Sequence, residues 1–434
     1  MADCKKKKIV TVAIAGLGLR GFHTYGQYQK IHPDRMRVVA IADINREILE
    51  TAAEDHNVPT EGCFASAEEL LSHKKLADVL IVATQDRQHI AHTVAGLRLG
   101  YDILLEKPIA ITPQDCLTIR NEAEKSGRIV AVCHVLRYTT FYRTIKNVID
   151  SGRIGKIMNV DAVENVGYWH QAHSFVRGNW RNSETSCPMI LAKCCHDLDI
   201  LNYLIGKRCE RLSSYGSLKY FRAENRPAEA GSRCIDCALK DRCVYSATQF
   251  YLSPDSYERH EWFCYAAAPD GTRESLERAM REGPYGRCVF GCDNNVVDHQ
   301  VVSMKYEDDV TATLTMSAFS SEMYRTVRIM GTLGEIEASQ RDNLVRVTPF
   351  GGKTELYDIN VLATDLSGHG GGDNQMMTDL FDRLTDGGEA ISSSIAESVA
   401  SHIMAFAAEY SRLHEGKSIS ITEYESLINP ASRK

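Results

Sequence analysis

No stretch of this 434-residue sequence approaches the eighteen consecutive apolar residues of a membrane span. The run at residues 9–15 has the length of a strand and not of a secretory core, so neither a membrane nor an export signal is indicated. An excess of positive charge is also missing. Fifty Lys and Arg against 57 Asp and Glu give a net charge of −7 and a pI near 6.1, which leaves no electrostatic footprint for nucleic acid. The basic run Lys5 to Lys8 reads as a solvated tail. Internal repeats, low-complexity tracts and proline-rich linkers are lacking, which argues against arrays and tethered modules. What the chain does have is 44% hydrophobic content, enough for substantial cores in two or three domains. Its 14 cysteines are scattered and include the adjacent Cys194 and Cys195, so in a reducing compartment they read as buried thiols. The expectation is a cytoplasmic protein with neither nucleic-acid nor membrane partners.

Near the start stands Ala15-Gly16-Leu17-Gly18-Leu19-Arg20-Gly21, preceded by the β-branched run at 9–15 and opening a segment able to be helical. In a strand–turn–helix of this kind the first glycine allows the reversal and the second lets backbone N–H groups approach a pyrophosphate. The third allows close helix–strand packing. A second strand at 37–42 ends in Asp43, about twenty residues beyond the last glycine, where an acid accepts hydrogen bonds from ribose hydroxyls. That carboxylate repels a 2′-phosphate, so the expected cofactor is NAD; Arg46 is near enough to soften the preference.

The first 135 residues alternate between strand-like runs (78–83, 102–105, 128–133) and helix-like ones (88–99, 113–125), which implies a parallel sheet covered on both faces. Ligands of such sheets bind beyond the carboxyl ends of the strands. That rule selects two loops, Thr84-Gln85-Asp86-Arg87-Gln88-His89 and Glu106-Lys107-Pro108. The expected cofactor set is Gly16, Gly18, Leu19, Arg20, Gly21, Asp43, Thr84, Gln85, His89, Glu106 and Lys107. After about Arg137 the pattern changes to strands at 157–166, 211–218, 301–306, 310–316, 325–330 and 344–348, with a hairpin turning at Glu307-Asp308-Asp309. This predicts an α/β Rossmann domain at 1–135 and an α+β domain at 136–434 with a mostly antiparallel sheet. A last helix at 394–409 would dock through Ile395, Val399, Ile403 and Phe406.

Three motifs together carry a family resemblance: the G-x-G-x-R-G turn, the Glu106-Lys107-Pro108 loop, and the helix Cys195-His196-Asp197-Leu198-Asp199. The chain resembles the glucose–fructose oxidoreductase, inositol dehydrogenase and rhizopine-catabolism group, Gfo/Idh/MocA. The resemblance spans most of the sequence outside a cysteine-rich insertion at about 225–295. It implies a Rossmann domain followed by an open-sheet domain that often mediates homo-oligomerisation, and reversible hydride transfer between a nicotinamide and a sugar or polyol hydroxyl. It also implies that Lys107 is the family's site lysine.

Oxidising a secondary alcohol requires a group that takes the hydroxyl proton as hydride departs. Lys107, at the end of a strand, is positioned to reach substrate, and His196 supplies an imidazole that accepts a proton near neutral pH. Many members of the family carry an aspartate four residues before this histidine. Here that position is Ala192, followed by Lys193, which would add a second cation to the site or, equally, be a solvated helix residue.

The segment 164–181 is dense in polar and aromatic side chains suited to a sugar ring, and Tyr168, Trp169, His170, His173 and Arg177 are its candidate substrate contacts. Downstream, Gly368-His369-Gly370-Gly371-Gly372-Asp373 resembles a loop of the NAD-dependent glycosidases that carries a functional histidine. Equally, it reads as a connector capped by Asp373. Cys234, Cys237 and Cys243 form C-x2-C-x5-C, an incomplete pattern that reads either as a structural zinc site with a distant fourth ligand or as reduced cysteines in an insertion lobe. The leading function is NAD-dependent oxidation of a sugar or glycoside hydroxyl. The alternative is a redox-neutral glycosidase working by transient oxidation, elimination, water addition and re-reduction. A non-catalytic nucleotide-dependent sugar sensor is the third.

Overall fold

In a computed structural model describing residues 8–429, the first part of the chain forms six parallel strands: β1 (Val10–Ala15), β2 (Met36–Ala42), β3 (Cys63–Phe64), β4 (Val79–Val82), β5 (Asp102–Leu105) and β6 (Val130–Val132). They lie in the order β3-β2-β1-β4-β5-β6. The order reverses between β1 and β4, so the crevice for a ligand opens beyond Ala15 and Val82. These strands are nearly continuous apolar runs because helices cover both faces. The covering helices are well capped. Asn45 accepts from Glu47 and Ile48 at the start of Arg46–His56, while Thr112 and Pro113 open Pro113–Ser126 and Gly127 at φ +62° closes it. The element after the glycine turn is a π-helical segment, Gly21–Gly26, which continues into Tyr28–Ile31.

The second sheet has nine strands, β7 (Ile157–Asn165), β8 (Cys209–Ser217), β9 (His299–Tyr306), β10 (Thr311–Ser317), β11 (Tyr324–Gly331), β12 (Gly334–Ser339), β13 (Leu344–Pro349), β14 (Glu355–Asp358) and β15 (Ile419–Ser420). Their order is β14-β13-β12-β11-β7-β10-β9-β8-β15, antiparallel except for the β7–β10 pair. The β9–β10 hairpin turns where expected, with Asp308 and Asp309 at positive φ. Alternation along β9 sends Gln300, Val302, Met304 and Tyr306 inward.

Two further pieces position the site. The helix Ile395–Leu413 buries Ile395, Val399, Ile403 and Phe406 against both halves of the molecule. Each such side chain contributes about 1.5–3 kcal/mol on leaving water, so packing and not propensity anchors this helix. The insertion between β8 and β9 is helical (Ala247–Leu252, Ser256–Ala267, Arg273–Glu282) and has its own small core around Tyr251, Cys264, Leu276 and Met280. Among the described residues no helix is long and apolar enough to cross a membrane, and all thirteen described cysteines are free thiols.

Candidate active site

The glycine turn has the shape its sequence implies. Gly16 sits at φ +89°, and a Cβ there would lie 2.5 Å from the Ala83 carbonyl oxygen; one on Gly21 would lie 1.8 Å from that of Gly16. A Cβ on Gly18 would meet nothing within 4 Å, so the turn is open where a pyrophosphate must approach. Asp43 stands at the end of β2 with Oδ2 accepting from Leu17 N at 2.7 Å and Oδ1 from Asn45 N at 2.8 Å. Beside it Ile44 is 87% exposed, an apolar surface of the kind an adenine ring covers. Arg46 pairs with Glu50 at 2.7 Å on the exposed face of the next helix. These residues fit a dinucleotide with a free 2′-hydroxyl.

Other members of the expected cofactor set also contact protein groups or lie at the loop surface. Arg20 is not a free phosphate ligand: its guanidinium binds Glu106 at 2.6 Å, Asp373 at 2.6 Å and the Tyr25 hydroxyl. It thereby ties the glycine turn to the Glu106 loop and to the far end of the chain. Burial raises the Glu106 carboxyl, but Arg20 and Lys107 outweigh it and hold the group below its ordinary value. His89, 1% exposed, faces the Pro108 and Thr84 carbonyls at 2.8 and 3.1 Å, a brace between the two loops. The Thr84 hydroxyl pairs with His92 at 3.0 Å, whereas Gln85 is exposed at the loop tip and Leu19 half-buried beside Gly18.

At the carboxyl end of β5, Lys107 donates from Nζ to the Ala192 carbonyl at 3.2 Å, which sets its ammonium at the turn leading into the His196 helix, Cys195–Ile205. His196 is 6% exposed, and its Nδ1 is buried with no hydrogen-bond partner. Burial and then the positive Lys107 hold its pKa well below that of a free histidine, so the ring is a neutral base. Lys193 is not a solvated helix residue. It pairs with buried Glu164 at 3.3 Å, and Arg325 joins Glu164 and Asp197, each at 2.8 Å. Burial lowers the Lys193 pKa, with Glu164 pulling the other way. His369 completes the ring of groups, 6.2 Å from the His196 centroid and bound through Nδ1 to Asp373 at 2.9 Å.

The polar–aromatic segment divides. It forms a helical turn, Tyr168–His170, running into a π-helix, Gln171–Arg177. His170 faces the site, its Nδ1 without a partner and its pKa pushed well down by burial and then by Lys193. Trp169 lies against Phe250, His260 and Phe263 of the insertion, and Tyr168 against Tyr245. His173 and Arg177 point into the insertion. The His173 ring bonds the Tyr251 hydroxyl and stacks on Tyr285 at 4.7 Å, burial pushing its pKa down to about 3. Arg177, 2% exposed, donates to the Arg287 and Tyr245 carbonyls, both at 2.7 Å, and to Cys234 Sγ at 3.5 Å. A contact that motif reading missed is Trp180 Nε1 to Asp86 at 3.1 Å, which joins the loop after β4 to the second half of the chain.

The expected zinc ligands do not assemble. Among the described residues no three His, Cys, Asp or Glu side chains form a group able to hold a metal ion. Cys234, Cys237 and Cys243 line, with Cys288, an apolar cavity of about 30 Å³. There Cys234 takes the Arg177 guanidinium, and Cys237 accepts from the Gly231 and Leu239 amides at 3.3 and 3.4 Å.

Two family models match the chain, the NAD-binding Rossmann fold of an oxidoreductase family over residues 10–134 and the family's C-terminal α/β domain over residues 146–418. The putative oxidoreductase YteT of Bacillus subtilis is 31% identical over 320 residues, covering 70% of this chain and 72% of that protein. Inositol 2-dehydrogenase of Azotobacter vinelandii is 29% identical over 170 residues, covering 39% of this chain and 46% of its own length. The WlbA dehydrogenase of Bordetella pertussis, solved with NADH and UDP-GlcNAcA, matches 95% of this chain and 99% of its own with a TM-score of 0.66; at 16% identity this is likeness of fold alone. With both halves matched by its models, the chain belongs to the Gfo/Idh/MocA family of NAD-binding oxidoreductases.

Proposed function

We propose that this protein is an NAD-dependent oxidoreductase that acts on a ring hydroxyl of a sugar or glycoside. The observation that carries the reading is the meeting of Lys107 Nζ with the Ala192 carbonyl, which brings a cation and the neutral His196 to one place beyond β5. NAD, held along Gly16–Gly21 with its ribose at Asp43, supplies hydride acceptance and return. Lys107 binds the oxygen of the reacting hydroxyl and stabilises the negative charge that develops there. His196 takes the proton. Tyr168, Trp169 and His170 form the wall toward the sugar, and Lys193 holds a second polar group of the substrate.

A second reading, a redox-neutral glycosidase, is favoured by His369. Net oxidation needs one proton acceptor, whereas elimination and re-addition at a neighbouring carbon need a second acid–base group. The carboxylate-oriented His369 ring, 6.2 Å from His196, is such a group.

The test is incubation of the purified protein with aryl glycosides of both anomeric forms, with and without NAD, following NADH absorbance and aglycone release together. NADH accumulation without aglycone establishes the first reading, and aglycone release without net NADH the second. Absence of both, with NAD still bound, leaves the sensor. Lys107→Ala is expected to abolish turnover and retain NAD binding; near wild-type activity would overturn the assignment.

A further inference from the structure

His134 follows β6 and is wholly buried, yet neither of its ring nitrogens has a hydrogen-bond partner. Two imidazoles flank it, His196 with centroids 5.6 Å apart and rings nearly perpendicular, and His402 at 5.4 Å. His402 is already fixed: its Nε2 accepts from Ile109 N at 3.0 Å, so its Nδ1 donates to the Ser398 carbonyl at 2.9 Å. That leaves His196, whose buried Nδ1 is equally unpartnered. Imidazoles joined nitrogen to nitrogen have centroids roughly 5 Å apart, so a small rotation closes the bond. On its other side, His134 Nε2 lies 3.8 Å from Asp199 Oδ1, and Arg137 clamps that carboxylate through two contacts at 2.6 and 2.7 Å.

We propose that Asp199, His134 and His196 form a relay in which His134 is the positioning residue for His196, taking the role left open by Ala192. The tautomers then follow in sequence. The carboxylate of Asp199 holds the proton of His134 on Nε2, leaving the Nδ1 lone pair to accept from His196 Nδ1–H. His196 Nε2 is thereby kept unprotonated and aimed at substrate. When the hydroxyl O–H bond breaks, its proton moves to His196 Nε2, and the Nδ1–H of the resulting cation is shared with His134. The hydrogen on carbon leaves with its electron pair to NAD. Lys107, Arg325 and His369 also face His196, and Arg137, Lys107, Glu106 and His402 face His134. The inference rests on His196 being the proton acceptor of the proposed reaction.

The experiment reads the tautomer directly. Imidazole nitrogen shifts of the ¹⁵N-labelled full-length protein, with His196 assigned by comparison with His196→Asn, are expected to show a protonated Nδ1 and a bare Nε2. The opposite tautomer overturns the relay. In His134→Asn, His196 is expected to become a mixture of tautomers, and kcat on the aryl glycoside that is turned over to fall about a hundredfold with KM within about twofold. An unchanged tautomer or an unchanged kcat in that variant overturns it too. Should His134→Asn fail to fold, the wild-type spectrum still decides. Because the spectrum needs no turnover, a failed search for glycoside substrates would count against the proposed reaction and not against the relay.

Discussion

His369 and Asp373 meet at 2.9 Å through Nδ1 and one carboxylate oxygen, and the other oxygen of that carboxylate holds Arg20 at 2.6 Å. One side chain therefore orients a ring in the proposed substrate site and fixes the turn that would receive the cofactor. Asp373→Asn keeps the shape but removes the charge, and Arg20 retains Glu106, so no guanidinium is left wholly unpaired. A loss of about 1–3 kcal/mol in unfolding free energy is expected, with kcat lowered at least about tenfold as the His369 ring loosens. Thermal melting and steady-state kinetics check both; unchanged values would mean that the pairing is incidental.

Acid should destabilise the protein well before Glu106 and Asp373 titrate. His134, His170, His173, His196 and His402 are all held below the ordinary histidine value, chiefly by burial, with His173 and His402 at about 3. Below about pH 6.5 the unfolded chain takes up protons that these folded rings refuse. The unfolded state then binds more protons, and stability falls as pH falls, by about 1.4 kcal/mol per pH unit for each ring. Glu106 and Asp373, depressed in the fold, contribute stability that is present above about pH 4 and lost below it. Urea midpoints measured from pH 7.5 to 5 should drop steeply, and a flat profile would show that the rings are not buried as neutral bases.

The parts of this architecture that the sequence reveals are those with local signals. Alternation and apolar runs mark β1, β2, β4 and β9 to within a residue or two, and Lys107 and His196 stand in compact motifs. β12 and β14, with the sequences GEIEAS and ELYD, carry too few apolar residues to stand out, and the parallel pairing of β7 with β10 joins segments far apart in the chain. Arg20 and Asp373 are 353 positions apart, so nothing near either one announces their contact. His173 and Arg177 show the opposite limit. A buried brace and a substrate contact call for the same residue types, and only the direction in which the side chain points separates them.

That direction can be tested at Arg177. Replacing it with leucine leaves the Arg287 and Tyr245 carbonyls without their donor, at about 1–3 kcal/mol each. Hydrogen exchange should quicken across residues 234–290, while KM for the substrate stays within about twofold. A tenfold rise in KM with exchange unaltered would return Arg177 to the substrate site.

The insertion also grips the element that follows the glycine turn. His23, within Gly21–Gly26, lies 4.6 Å edge-on to Tyr265 and 6.4 Å from Trp262. Around this contact is a cavity of about 770 Å³ walled by Phe22, His23 and Ile48 on one side and by Tyr265 and Arg278 on the other. Because Gly21–Gly26 follows directly on the turn that meets the pyrophosphate, holding it still from outside reduces the opening motions by which a dinucleotide escapes. Substituting alanine at both Trp262 and Tyr265 should therefore speed NADH dissociation about tenfold, equivalent to about 1.4 kcal/mol of lost restraint, while kcat at saturating NAD is preserved. Stopped-flow displacement of NADH fluorescence measures the rate. An unchanged rate would mean that the insertion leans on the cofactor helix without restraining it, and that retention of the dinucleotide is set by the Rossmann residues alone.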